Sequence, residues 1–379
     1  MAFTFFSSPT RVLLGDDALS QMAAELPRLG TGVLLVTDPG IQAAGICDKV
    51  LAALEPVLPV TVFAEVAGNP DVDTVAAAVA AAGLANADIV VGLGGGSSMD
   101  VAKSTALVVT NGGNIADYEG VDRFSVRPLP VVAIPTTVGS GSEVTKGAVI
   151  TDPRTHVKMV IVSDLMFPNI AVLSPSLVAG LPARITATTG MDALTHAIEA
   201  YVARGANPIT DAINIGAIEL VGRSIVPATQ GDPAALYDML VASCMAGIGF
   251  HDAGLGAVHA LANTLGGHYG VHHGTANALF LPYVMDFNAL AAPARFARIA
   301  AALGEDISGL DVQDAALRAA AAVHRLAEQT GVPRKLAEVG VPADAVDALA
   351  ADALVQADLP GNPRECTLED LRELYRAAL

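Results

Sequence analysis

Val90-Val91-Gly92-Leu93-Gly94-Gly95-Gly96-Ser97-Ser98-Met99-Asp100-Val101-Ala102-Lys103 decides how the chain folds. A short β-branched run reaches three consecutive glycines, and a segment of helical character follows. Strand, tight turn and helix in that order form the repeating unit of a parallel sheet, whose strands need a crossover to return. The glycines let the backbone approach a ligand closely, and the helix N-terminus beyond them adds partial positive charge. A phosphate or pyrophosphate is a suitable guest for such a turn. The alternative is a tight turn in which Ser97 or Ser98 only caps the helix. The stretch is neither a GxGxxG fingerprint nor a P-loop, because no Gly-Lys-Ser/Thr follows.

The same alternation extends to both sides. Residues 32–37, 57–63, 88–93 and 130–134 read as buried strands, and 39–54, 71–84 and 97–109 as helices. Further short strands are expected at 148–151, 158–162 and 170–173. After Leu181-Pro182 the pattern changes: segments from Ile185, Pro208, Pro233, Leu255 and Ala292 onward have helical periodicity. The expected architecture is an α/β domain with a parallel sheet over residues 1–180, followed by an all-α domain over 181–379.

A second polar turn, Ile134-Pro135-Thr136-Thr137-Val138-Gly139-Ser140-Gly141-Ser142-Glu143, follows a second strand. It reads either as part of a ligand site at the carboxyl edge of the sheet or as a plain Gly/Ser loop. Asp38 ends the strand GVLLVT and precedes Pro39. It either accepts bonds from an adenosine ribose and repels a 2′-phosphate, favouring NAD over NADP, or serves as an N-cap with proline at N1.

Formal charge is 21 − 39 = −18, which disfavours a nucleic-acid partner, since such partners need a basic face. Mean hydropathy is +0.50, yet prolines or charges interrupt the apolar runs, so no membrane partner is expected. No basic n-region precedes a clean apolar segment at the start, so no signal peptide is expected. The three cysteines, Cys47, Cys244 and Cys366, show no paired spacing, and a cytoplasmic enzyme acting on small molecules is the expectation.

Six of the eight histidines fall between positions 196 and 273. The stretch Ala253–Met285 holds His259, His268, His272 and His273 but no Lys, Arg, Asp or Glu. Neutral imidazoles are costly to bury without partners, and a divalent metal is the obvious one, because imidazole is its commonest protein ligand. Asp192 and His196 are four apart on one helical face, a spacing that serves a hydrogen bond or half of a metal site. Together with His259 and His273 they form a candidate set for iron, zinc or manganese.

Taken together, GGGSSMDVAK (94–103), AIPTTVGSGSEVT (133–145), GMDALTHAIEAY (190–201) and GLGAVHALANTLGGHYGVHHGTANALFLPYV (254–284) resemble the iron-dependent, or group III, alcohol dehydrogenase family. The resemblance runs over nearly the whole chain with its motifs in order. It implies a Rossmann-like N-terminal domain, a helical C-terminal domain and an active site in the interdomain cleft. The implied reaction is hydride transfer between a primary or secondary alcohol and NAD(P), interconverting alcohol and aldehyde or ketone. The implied metal ligands are Asp192, His196, His259 and His273, holding Fe2+, with Zn2+ or Mn2+ as alternatives. Gly95, Gly96, Ser97 and Ser98 match the pyrophosphate loop, and Thr136, Thr137 and Ser140 the nicotinamide and phosphate path. Asp38 matches the cofactor-selecting acid, with NAD preferred to NADP, and Lys158 a lysine that contacts the cofactor. Phe250 matches an aromatic position of the substrate pocket, and a homodimer or higher homo-oligomer is implied.

The chain departs from the family at several positions. Asn263 stands where many relatives carry a further histidine near the metal. His268 replaces an aromatic or apolar residue, His272 a frequent proline, and Phe250-His251-Asp252 also differs. His268 and His272 are therefore candidate catalytic proton donors, with a supporting hydrogen-bond role as the alternative. Two other enzyme readings stand beside this one. One is a glycerol-dehydrogenase or dehydroquinate-synthase type, and the other a metal-dependent hydrolase or lyase acting on a phosphorylated small molecule. No HExxH and no carboxylate base beside the ligands supports the latter. A non-catalytic metal-binding module is a third alternative.

Overall fold

The computed structural model describes residues 5–153 and 157–379. Six parallel strands form the main sheet in the order β1-β9-β6-β4-β2-β3. These are β1 (Arg11–Leu14), β2 (Val33–Val36), β3 (Val60–Phe63), β4 (Ile89–Gly94), β6 (Val131–Pro135) and β9 (Ile170–Leu173). A smaller sheet, in the order β5-β8-β7, joins β5 (Gly120–Val121), β7 (Gly147–Asp152) and β8 (Val157–Val162). The helices of this unit are α1 (Ala18–Glu25), α2 (Pro39–Ala43), α3 (Ile46–Leu54), α4 (Val72–Ala85), α5 (Gly96–Asn111) and α6 (Pro175–Val178).

Strand side chains alternate between the two faces, so each strand feeds two cores. Val33, Leu35, Ile89, Val91 and Leu93 join Met22 of α1, Val50 and Leu54 of α3 and Leu177 of α6. Leu34, Val36 and Val90 join Val75 and Ala78 of α4 and Val101 and Ala106 of α5 on the other side. Each is at most a few per cent exposed, which is why these runs read as continuously apolar.

Three local readings need correction. The single helix expected over 39–54 is two, because Gly45 adopts a left-handed φ of 68° and restarts the chain direction before α3. The strand expected from Val57 begins at Val60, after a turn over the preceding residues. The edge strand β1 was not anticipated; it has only four residues and is held by parallel pairing with β9.

The rest of the chain is helical: α7 (Ala183–Val202), α8 (Pro208–Thr229), α9 (Pro233–Ala253), α10 (Ala257–Tyr269), α11 (His273–Ala289), α12 (Pro293–Ala302), α13 (Val312–Thr330), α14 (Val346–Ala353) and α15 (Leu368–Ala377). Gly180–Leu379 forms one compact unit together with Val138–Ser140 and the segment ending at Ser7; Ser8–Thr137 and Gly141–Ala179 form the other. Helix α9 is long and apolar enough to cross a membrane, but it packs against α7 and α8 with most of its apolar residues buried. Nearly all of α7 is buried, including Asp192, His196 and Glu199. Ionisable groups in such a helix need partners.

Candidate metal centre and cofactor edge

In α7, Asp192, His196 and Glu199 follow one another at four and three residues. At about 100° per residue these offsets keep all three on one face. Helices α10 and α11 bring His259 and His273 to that face. The approach of α11 is close: a Cβ on Gly274 would lie 2.5 Å from the Thr188 carbonyl oxygen and 3.3 Å from Asp192 Cβ. Any larger residue there would push His273 away from Asp192. One ligand atom from each of Asp192, His196, His259 and His273 lies within 4.8 Å of the other three.

Hydrogen bonds outside this group orient the rings. His196 Nδ1 faces the Gly139 carbonyl oxygen at 3.2 Å, and His259 Nδ1 faces Glu199 Oε2 at 2.6 Å. Both acceptors require N–H at Nδ1, which puts the lone pair of each ring on Nε2. Glu199 Oε1 also accepts from the backbone N–H of Val258 at 2.7 Å, fixing the start of α10. Phe250 stacks on His196, with centroids 4.5 Å apart and planes inclined by 18°. Burial pushes the His196 imidazole down to about 4, so it is neutral at neutral pH, as a metal ligand must be. Burial also opposes charge on His259, but the Glu199 carboxylate outweighs it and raises that imidazole.

Three imidazoles, one of them oriented by the Glu199 carboxylate, and the Asp192 carboxylate form the donor chemistry of an intermediate-softness divalent cation. The residues therefore fit an iron or zinc ion. Sequence reading missed two members of the surroundings, Glu199 and Asn277. Their offsets were visible: Glu199 is seven residues from Asp192, and Asn277 four from His273.

His268 and His272 lie outside the four-residue group. His268 is exposed and pairs with Asp352 at 2.6 Å, while His272 is the exposed residue just before α11. Asn263 donates to Asp358 Oδ2 at 3.3 Å. His251 and Asp252, the departures beside Phe250, hold the backbone of Ser7: His251 Nε2 faces its carbonyl oxygen at 2.6 Å, and Asp252 accepts its N–H at 2.7 Å.

In the α/β unit, β2 connects outward to β3, whereas β4 connects the other way to β6, so the topology reverses between the adjacent strands β2 and β4. Ligands of open parallel sheets bind beyond the carboxyl ends at such a point. Asp38 follows β2 and Gly94–Ser98 follows β4. Thr136 and Thr137 follow β6, whose Pro135 is paired with Gly94. Gly94 has φ +147°, and a Cβ there would lie 2.6 Å from Ser98 Oγ and 3.1 Å from Asp38 Oδ2.

The reading in which Ser97 or Ser98 caps the helix is overturned. Gly95 is the N-cap and no side chain caps α5. Ser97 Oγ instead donates to the Gly68 carbonyl at 3.0 Å, and Ser98 Oγ to Asp38 Oδ2 at 3.4 Å. Early amides of α5 therefore remain available to an anion. The two readings of Asp38 coexist: Oδ1 caps α2 by accepting from Ile41 N–H at 3.0 Å, while Oδ2 faces Ser98. Thr136 is buried, with no hydrogen-bond partner for its hydroxyl among the described residues. Ser140 follows Gly139, whose carbonyl meets His196. Lys158 stands on β8 opposite Thr151, and burial lowers its amine from the usual lysine range.

The chain is similar to known proteins over its whole length. The family model described as iron-containing alcohol dehydrogenase matches residues 9–175, and that for the Fe-containing alcohol dehydrogenase family, C-terminal, matches residues 186–379. An NAD-dependent methanol dehydrogenase of Bacillus methanolicus is 39% identical over 380 residues, covering 99% of this chain and 100% of that one. A 1,3-propanediol dehydrogenase of Klebsiella pneumoniae is 39% identical over 376 residues, covering 98% and 97%. A crystal structure of a 1,3-propanediol oxidoreductase superposes with a TM-score of 0.97 at 38% identity, covering all of both chains. With both halves matched and relatives similar from end to end, the chain belongs to the iron-containing alcohol dehydrogenase family and is an oxidoreductase of alcohols and aldehydes.

Proposed function

We propose that the chain interconverts small, weakly polar alcohols and their aldehydes with NAD, using Asp192, His196, His259 and His273 to hold a divalent cation. The observation that carries this reading is the convergence of those four ligand atoms beside Phe250. When bound, the cation supplies Lewis acidity to the substrate oxygen, and the nicotinamide supplies the carbon that takes or returns the hydride.

The chain's own residues do the remaining work. Glu199 and the Gly139 carbonyl keep two imidazoles in the tautomer that presents Nε2. Phe250 offers an apolar surface that excludes water near His196 and favours a carbon chain over a charged group. The first amides of α5, at Gly96 and Ser97, receive the pyrophosphate without a cationic side chain. Asp38 accepts from the ribose hydroxyls and repels a 2′-phosphate. Substrates named for the relatives, methanol and 1,3-propanediol, are small uncharged alcohols and suit the same reading.

The test is NADH formation from a panel of short primary alcohols and diols, before and after chelation. Activity should vanish with the metal and return with Fe2+ or Zn2+; full activity in a verified metal-free protein would overturn the reading. Cofactor choice gives a second expected result. Like charges about 4 Å apart repel by about 4 kcal/mol at an effective dielectric of 20, and less where water reaches them. Asp38→Ala should therefore raise kcat/KM for NADP by about tenfold or more, about 1.4 kcal/mol per decade. An unchanged NADP/NAD ratio would remove Asp38 from cofactor selection.

A further inference from the structure

Asn277 is fully buried on α11, one turn beyond His273 and on the same face. Its Nδ2 lies 2.6 Å from Asp192 Oδ1, 3.1 Å from His259 Nε2 and 3.1 Å from His273 Nε2. One side-chain amide thus reaches three of the four ligand residues. The carboxylate fixes which way the amide points: with the group flipped, Oδ1 would meet Asp192 Oδ1 at hydrogen-bond distance with no hydrogen between them. In the orientation present, Oδ1 is buried without a hydrogen-bond partner among the described residues. An orphaned acceptor costs stability. The residue accepts that cost and places both its hydrogens among the ligand atoms.

An NH2 group has two hydrogens for these three acceptors. The carboxylate takes the first, through a short, charge-assisted bond. The two imidazole lone pairs are the ones that a cation claims, whereas Asp192 has further lone pairs and can serve the amide and a cation together. Resting on the metal reading above, we propose that Asn277 is a positioning residue of the metal centre, holding Asp192 in its ligating orientation through Nδ2.

The test uses full-length protein stripped by chelation and titrated with Zn2+ against a chromogenic chelator. Thermal melts with and without Zn2+ accompany it. Asn277→Ala removes the amide, and Asn277→Leu keeps its branched outline without the donor. Loss of an outer hydrogen bond to a metal ligand typically weakens affinity 10–100-fold. Each variant should show a Kd for Zn2+ raised by about that factor and a smaller Zn2+-induced rise in Tm. The metal-free Tm should not fall in proportion, which separates positioning from a merely structural role. A folded variant that binds Zn2+ as tightly as the parent overturns the proposal. Failure of the parent protein itself to bind Zn2+ or Fe2+ would instead overturn the metal assignment beneath it.

Discussion

Replacing His259 with alanine should empty the metal centre and lower kcat/KM for alcohol oxidation by about 10³ or more. A Lewis acid supplies several kcal/mol of charge stabilisation in the transition state, and each 1.36 kcal/mol is tenfold in rate. His259 is held from several sides. Its Nδ1 bonds Glu199 at 2.6 Å, it is 3% exposed, and its centroid lies 4.7 Å from that of His196 and 5.2 Å from that of His273. Removing the ring therefore takes away a ligand and also leaves the Glu199 carboxylate buried without its imidazole donor. A milder change separates these effects: Glu199→Gln keeps the ring but weakens its orientation, and should cost about 10–100-fold in metal affinity. Metal analysis and steady-state kinetics on both variants check the order. If His259→Ala retained a full equivalent of metal, or stayed within tenfold of the parent rate, the ligand assignment would be wrong.

How far the sequence disclosed this centre depends on what helical periodicity records. Asp192 and His196, four apart, announce one face, and the charge-free tract announces that its histidines need partners. Nothing in the chain states that α10 and α11 return to α7; that requires the close passage of Gly274 over Thr188, which is a tertiary fact. Grouping histidines by nearness in sequence also misleads. His268 is nine residues from His259, and nine steps of about 100° turn it to the opposite side of α10, where Asp352 receives it. His272 lies just outside α11, so it does not share the direction of His273. Glu199 and Asn277 obey the same arithmetic in the favourable sense, at seven and four residues from ligands, but a lone Glu or Asn in an apolar helix carries no label. In the sheet, the runs at β2, β4 and β6 were legible because burial on both faces leaves no polar alternation to confuse them. The break at Gly45 was not, since a glycine inside a helical pattern is tolerated as often as it ends one.

Glu143→Gln should stabilise the α/β unit at alkaline pH and do little at acidic pH. Glu143 is 1% exposed, and neither carboxyl oxygen has a hydrogen-bonding side-chain partner among the described residues. The buried Lys103 amine is engaged elsewhere: it bonds the carbonyls of Ser142 and Gly147 and lies 3.2 Å from Asp100 Oδ1. Burial consequently pushes the Glu143 carboxyl from 4.5 up to about 7. Below about pH 4.5 the folded and unfolded chains both hold the proton, and the group imposes no pH-dependent cost. Between about 4.5 and 7 the unfolded chain ionises while the folded chain keeps its proton, so stability falls as pH rises. Above about pH 7 the carboxylate ionises in place and the full cost persists, about 3 kcal/mol at 1.36 kcal/mol for each unit. Glutamine is neutral throughout and escapes it. At roughly 2–4 °C per kcal/mol for a unit of this size, the variant should melt about 6–12 °C higher near pH 8, with the gain shrinking towards pH 5. Melting curves of both proteins across that range decide the matter. A loss at alkaline pH would show that Glu143 is paired as a carboxylate in the folded chain, and a gain that did not change with pH would show that its ionisation carries no cost there. The position lies on the short helical turn Ser142–Val144, in the segment that carries Thr136, Thr137 and Ser140.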